Sequence, residues 1–124
     1  MAMCKHDRNL TDEQLKALAQ NGGVAQVCLL DRYINEDYKN ASLTDAIEHI
    51  DHMVKVAGID HVGIGSDFDG GGGIIGCESD NGFIQITVKL IEKGYTEEDI
   101  AKIWGGNLMR VLDEVQATAS VKTL

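Results

Sequence analysis

The sequence predicts an α/β fold in which two parallel strands are covered by helices, and three observations carry that prediction. Two short segments, 24–30 and 61–65, are nearly continuous in apolar or β-permissive residues, the pattern of strands buried on both faces. The segments around them carry apolar residues at helical spacing, opened by Ser or Thr at positions where a hydroxyl can cap a free amide. Helix and strand alternate along the chain, which sets strands side by side in parallel with helices returning over them.

Taken in order, Thr11-Asp12-Glu13-Gln14 opens the first helix, with Gln14 able to complete a capping box and Leu10 and Leu15 placed to staple it. Asn21-Gly22-Gly23 offers a left-handed end, and the strand 24–30 follows. Residues 31–40 are polar and read as irregular. Ser42 caps a second helix whose Leu43, Ala46, Ile47, Ile50, Met53, Val54 and Ala57 keep helical spacing up to Gly58. His61-Val62-Gly63-Ile64-Gly65 is the second strand, and it delivers Ser66-Asp67-Phe68-Asp69 into a glycine-rich loop. A third helix is expected over 81–93, with Phe83, Ile84, Thr87, Val88 and Ile91 on one face and Gly94 at its end. Thr96 caps the next, and Gly105-Gly106-Asn107 is expected to break the chain before a last helix bearing Leu108, Val111, Leu112 and Val115. Two parallel strands leave unpaired backbone on both edges, so the chain reads as part of something larger.

Composition narrows the function classes. At 124 residues the chain holds one modest domain, and 44% hydrophobic with 25% charged residues is ordinary for a globular protein. Eleven Lys and Arg against twenty Asp and Glu give a formal charge of −9, which opposes binding to nucleic acid or anionic lipid and favours small molecules or protein as partners. No apolar run reaches the ~20 residues of a membrane span. Cys4, Cys28 and Cys77 show no CxxC spacing and read as reduced thiols, so the expectation is a soluble, cytoplasmic chain.

Three stretches carry a family resemblance. They are Arg8-Asn9-Leu10-Thr11-Asp12-Glu13-Gln14-Leu15, the run Gly58-Ile59-Asp60-His61-Val62-Gly63-Ile64-Gly65-Ser66-Asp67-Phe68-Asp69-Gly70 with the helix before it, and Gly94-Tyr95-Thr96-Glu97-Glu98-Asp99-Ile100 followed by Gly105-Gly106-Asn107-Leu108-Met109-Arg110-Val111-Leu112. In this order and at this spacing the chain resembles the membrane dipeptidase (renal dipeptidase) family. The resemblance implies a (β/α)8 TIM-type barrel in which two bridged zinc ions hydrolyse the peptide bond of a dipeptide. Residues 1–124 would be a C-terminal segment supplying roughly the last two strands, incomplete on its own. The family's metal ligands are an HxD pair, a glutamate and two histidines on earlier strands. The resemblance places all of them before Met1, so the segment alone is expected to be inactive.

The same resemblance assigns two residues. Asp67 ends a strand, where barrel enzymes place their chemistry, and it would contact the substrate's amino group and pass a proton to the departing amine. Partial burial near other anions is expected to suit a carboxyl group to that task. Arg8 would hold the substrate's free carboxylate, for which a planar fork of donors is apt. Asp69 reads as a loop-shaping residue. His49 and His52 stand three apart on a helix without the Glu of an HExxH pattern and read as non-ligands, as do the lone His6 and His61. Cys28 stands where many family members have asparagine, and the region 71–83 departs from the mammalian enzymes. A competing reading takes the loop from Asp67 to Glu78 as a calcium loop, since acids stand at positions 1, 3 and 12 and Gly at 6, although Gly71 leaves position 5 without an oxygen. In that reading the chain is an inactive short protein, a self-associating scaffold or calcium-binding module. Exposed sheet edges also predict self-association or a homo-oligomer.

Overall fold

The computed structural model describes residues 3–122, with side chains through Ala119. The first helix, α1 (Asp12–Gln20), begins on a reciprocal cap. The Thr11 hydroxyl accepts the Gln14 N–H at 3.2 Å, and Gln14 Oε1 accepts the Thr11 N–H at 2.8 Å. Then come β1 (Ala25–Cys28), the single turn α2 (Asp31–Ile34), α3 (Leu43–Ala57) and β2 (Val62–Gly65). The chain closes with α4 (Phe83–Glu92), α5 (Glu97–Ala101) and α6 (Asn107–Lys122).

β1 and β2 pair in parallel, with Ala25 opposite Val62 and Cys28 opposite Gly65. This is the α/β arrangement of two parallel strands and covering helices that the periodicities predict. Paired residues in a parallel ladder share a face. Val62 and Val27 therefore point together into the core with Leu29, Ala46, Ile47, Ile50, Ile86, Leu90 and Ile103, while Gln26 lies exposed over Gly63 and Gly65. Each fully buried Ile or Leu in that core contributes about 1.5–3 kcal/mol.

Three local expectations are corrected. Residues 31–40 are not irregular: α2 and a 3-10 turn at Tyr38–Asn40 lie there, too short to show a periodicity, with Ile34 buried as their anchor. On α4 the face of Ile84, Val88 and Ile91 is the exposed one, and Ile86 and Leu90 are buried instead. That helix is apolar almost all round, so its inner face is chosen by what it packs on. Phe83 stacks on Phe68 and meets Trp104 edge-on, and Trp104 donates to Thr87 Oγ1 at 2.8 Å. Gly105-Gly106-Asn107 does not interrupt the chain, because a π-helical turn at Lys102–Gly106 joins α5 to α6 without a loop. Buried Asn107 fastens that junction, its amide donating to the Ile59 and Val62 carbonyls at 2.7 and 2.9 Å. Leu108, Leu112 and Val115 of the last helix, α6, are exposed.

Candidate functional site

A cleft of about 220 Å³ runs along β1 from Ala25 to Cys28 and is lined also by Arg8, Asn9, Tyr33, His52 and Asp67. Arg8 and Asp67, far apart in sequence, thus meet in one cavity. Parallel pairing explains half of this, since Cys28 and Gly65 end their strands side by side and Asp67 follows two residues later.

Asp67 is held by its backbone. It is the sole non-glycine among the described residues with positive φ, at 61°, a left-handed conformation that Asp tolerates better than most side chains. Its carbonyl accepts the Gly70 and Gly72 N–H groups at 3.0 and 2.7 Å, so the glycine run curls back beneath it. That return path leaves no room for a side chain. A Cβ on Gly70 would lie 2.1 Å from Asp67 Oδ1, and one on Gly72 would lie 2.4 Å from the Ser66 carbonyl oxygen. Beyond the turn the loop pairs along the other strand, with the Gly73 N–H donating to Leu29 at 2.7 Å. A calcium loop of the expected kind has a helix on each side, whereas β2 precedes this one. Asp69 sits exposed in the 3-10 turn Phe68–Gly70.

The carboxylate of Asp67 is exposed, not partly buried as expected, and its nearest hydrogen-bonding neighbour is the Cys28 thiol, which donates to Oδ2 at 3.6 Å. Burial pushes the Cys28 thiol up from its ordinary value, and the Asp67 charge adds to this while the Arg8 charge opposes it. Cys28 therefore stays a neutral donor at neutral pH. All three cysteines are free.

Arg8 lies on the irregular segment before α1, exposed, with its guanidinium 5.6 Å from the centre of the Tyr33 ring. Sequence reasoning missed Tyr33 and His6, whose rings lie 4.5 Å apart. No periodicity marks them, because α2 is one turn long.

The remaining histidines are engaged structurally. His49 Nε2 bonds the Ile34 carbonyl, His52 Nε2 bonds Asp12 Oδ1 and His61 Nδ1 bonds the Gly23 carbonyl, each at 2.8 Å. Burial holds His49 below its ordinary pKa. Among the described residues no three His, Cys, Asp or Glu side chains converge as metal donors, so these residues do not by themselves fit a metal centre. No helix among them is long and apolar enough to cross a membrane.

The family model described as membrane dipeptidase (peptidase family M19) matches residues 1–124. The chain belongs to that family. Its relatives include the dipeptidase aclJ of Aspergillus oryzae, 37% identical over 95% of this chain, and the dipeptidase ataJ of Aspergillus terreus, 40% identical over 90% of it. The chain spans 28% of the length of each of these two relatives. Among solved structures, the probable dipeptidase PvdM from Pseudomonas aeruginosa superposes with a TM-score of 0.86 at 29% identity, over 94% of this chain and 43% of that one. A metallo peptidase from Rhodobacter sphaeroides, liganded with a phosphinate mimic of the dipeptide L-Ala-D-Ala, matches with a TM-score of 0.84 at 29% identity, over 90% of this chain and 33% of that one. The structural match extends the family assignment from sequence to the path of the backbone.

Proposed function

We propose that this M19 chain is the C-terminal segment of a (β/α)8 barrel that hydrolyses dipeptides with the help of zinc. The single observation that carries the reading is the meeting of Arg8 and Asp67 in one cleft that reaches the C-terminal end of β1, the side on which barrel enzymes bind substrate. A dipeptide is a zwitterion with a carboxylate at one end and an ammonium at the other. A cleft carrying one guanidinium and one carboxylate matches both ends and penalises longer peptides, whose next residue replaces a terminal charge.

In this reading Arg8 holds the carboxylate. Asp67 accepts a hydrogen bond from the substrate's amino group, takes a proton from the attacking water at Oδ1 or Oδ2, and passes it to the leaving nitrogen as the peptide bond breaks. Water activation is the contribution expected of the metals. Their ligands belong to other strands of the barrel. The open edges of the two-stranded sheet and the exposed apolar residues of α4 and α6 support association of the chain with further strands or with another copy.

The test is dipeptide hydrolysis by the zinc-loaded protein that carries this chain, with its mass read by light scattering. Free dipeptides are cleaved, Arg8→Ala raises KM at least about tenfold, and Asp67→Asn lowers kcat by about 10²–10⁴. Failure to cleave any dipeptide with free termini sinks the reading.

A further inference from the structure

An arginine on a loop is a poor clamp unless something restrains it, since its long side chain gives up much rotamer freedom when it binds. The structure shows a restraint. The segment carrying Arg8 wraps the one-turn helix α2. Buried Cys4 donates from Sγ to the Arg32 carbonyl at 3.4 Å, and the Asn9 amide donates to the Cys4 and Tyr33 carbonyls at 3.1 and 2.9 Å. His6 Nδ1 accepts the Arg8 N–H at 3.1 Å, and its ring leans on the Tyr33 ring.

Tyr33 is therefore the surface on which the loop is built, and the Arg8 guanidinium sits over the face of its ring. A guanidinium within about 6 Å of an aromatic face is attracted by the negative ring quadrupole, yet its N–H edge stays free to donate. Arg32 makes a similar contact, 5.7 Å from the centre of the Tyr38 ring, but it also lies 4.0 Å from Asp31, and Arg110 pairs with Glu114 at 3.3 Å. No described carboxylate forms an ion pair with Arg8, so its donors stay free while its guanidinium rests on the ring.

We infer that Tyr33 is a positioning residue for the carboxylate-binding step: its ring face orients the Arg8 guanidinium in the cleft without consuming its hydrogen-bond donors. The inference rests on the reading of Arg8 given above. It makes Tyr33 a determinant of affinity for substrates with a free C-terminal carboxylate and leaves bond cleavage to other groups.

The test compares a free dipeptide with its C-terminal amide on the zinc-loaded protein that carries this chain. Tyr33→Phe keeps the ring and holds KM for the free dipeptide within about twofold. Tyr33→Leu removes the ring and raises that KM about fivefold at unchanged kcat, with the KM for the amide unmoved. Pentafluorophenylalanine at position 33 preserves shape while reversing the charge of the ring face, and it raises KM about threefold relative to Phe. This keeps the question answerable if the Leu variant misfolds. The inference is overturned if the fluorinated ring supports the same KM as Phe, or if the amide loses affinity equally. A parent protein that shows one KM for free dipeptide and amide refutes the role of Arg8 itself, a different outcome from the failure of Tyr33.

Discussion

The two charges of the cleft are held in place by opposite means. Asp67 is placed by backbone: a left-handed φ, two N–H groups donating hydrogen bonds to its carbonyl and glycines that let the chain fold beneath it. Arg8 is placed by side chains, through Asn9, His6 and the Tyr33 ring, on a segment without regular structure of its own. A backbone device is stiff and intolerant of added atoms, because neither partner can rotate away. A side-chain device is looser and degrades in steps, one contact at a time.

The sharpest way to break that contrast is Gly72→Ala. Its Cβ meets backbone oxygen on Ser66 and Asp67, which cannot move without unmaking the turn. A loss of about 2–3 kcal/mol in urea unfolding is expected, together with loss of the Asp67-dependent step. Stability within about 0.5 kcal/mol of the parent would show that the loop is less constrained than its geometry states.

Asn9→Ala tests the other side. Removing two hydrogen bonds to carbonyls costs about 1–2 kcal/mol and frees the Arg8 loop, so KM for free dipeptides rises while kcat holds. Equal damage to kcat and KM would mean that the two halves of the cleft do not act separately.

The smallest effect is a pH dependence. His49 bonds the last carbonyl of α2, and burial lowers its folded pKa below the unfolded value of about 6.5. Between the two values the unfolded chain binds more protons, so stability falls as pH drops through about 6.5 and levels off below the folded pKa. Thermal midpoints between about pH 5 and 7.5 show this slope, and His49→Gln flattens it. A slope unchanged in that variant would remove His49 as its source.

Much of the Asp67 side was legible in the sequence, because its determinants are local. A short apolar strand followed by an acid and a glycine run is a pattern within ten or so residues, and the caps at Thr11 and Thr96 read correctly for the same reason. The Arg8 side was not. Its partner Tyr33 lies on a helix of one turn, too short for periodicity to register, and nothing near Arg8 in sequence announces a ring beneath it. Only the resemblance to the dipeptidase family singled Arg8 out.

The inner face of α4 and the junction at Gly105-Gly106 failed for a related reason. A helix apolar on every side carries no directional signal, and Phe68 and Trp104 decide which side is buried. Glycines that normally end a helix are carried through when a buried Asn107 ties the next turn to β2. By itself, then, the sequence determined the fold class, the order of the two strands and the longer helices, the caps and the strand that leads to Asp67, since each depends on neighbours along the chain. Tertiary structure alone decided which faces are buried, that α5 runs into α6, and that Tyr33 lies under Arg8, because those outcomes depend on contacts between residues that chain proximity does not relate.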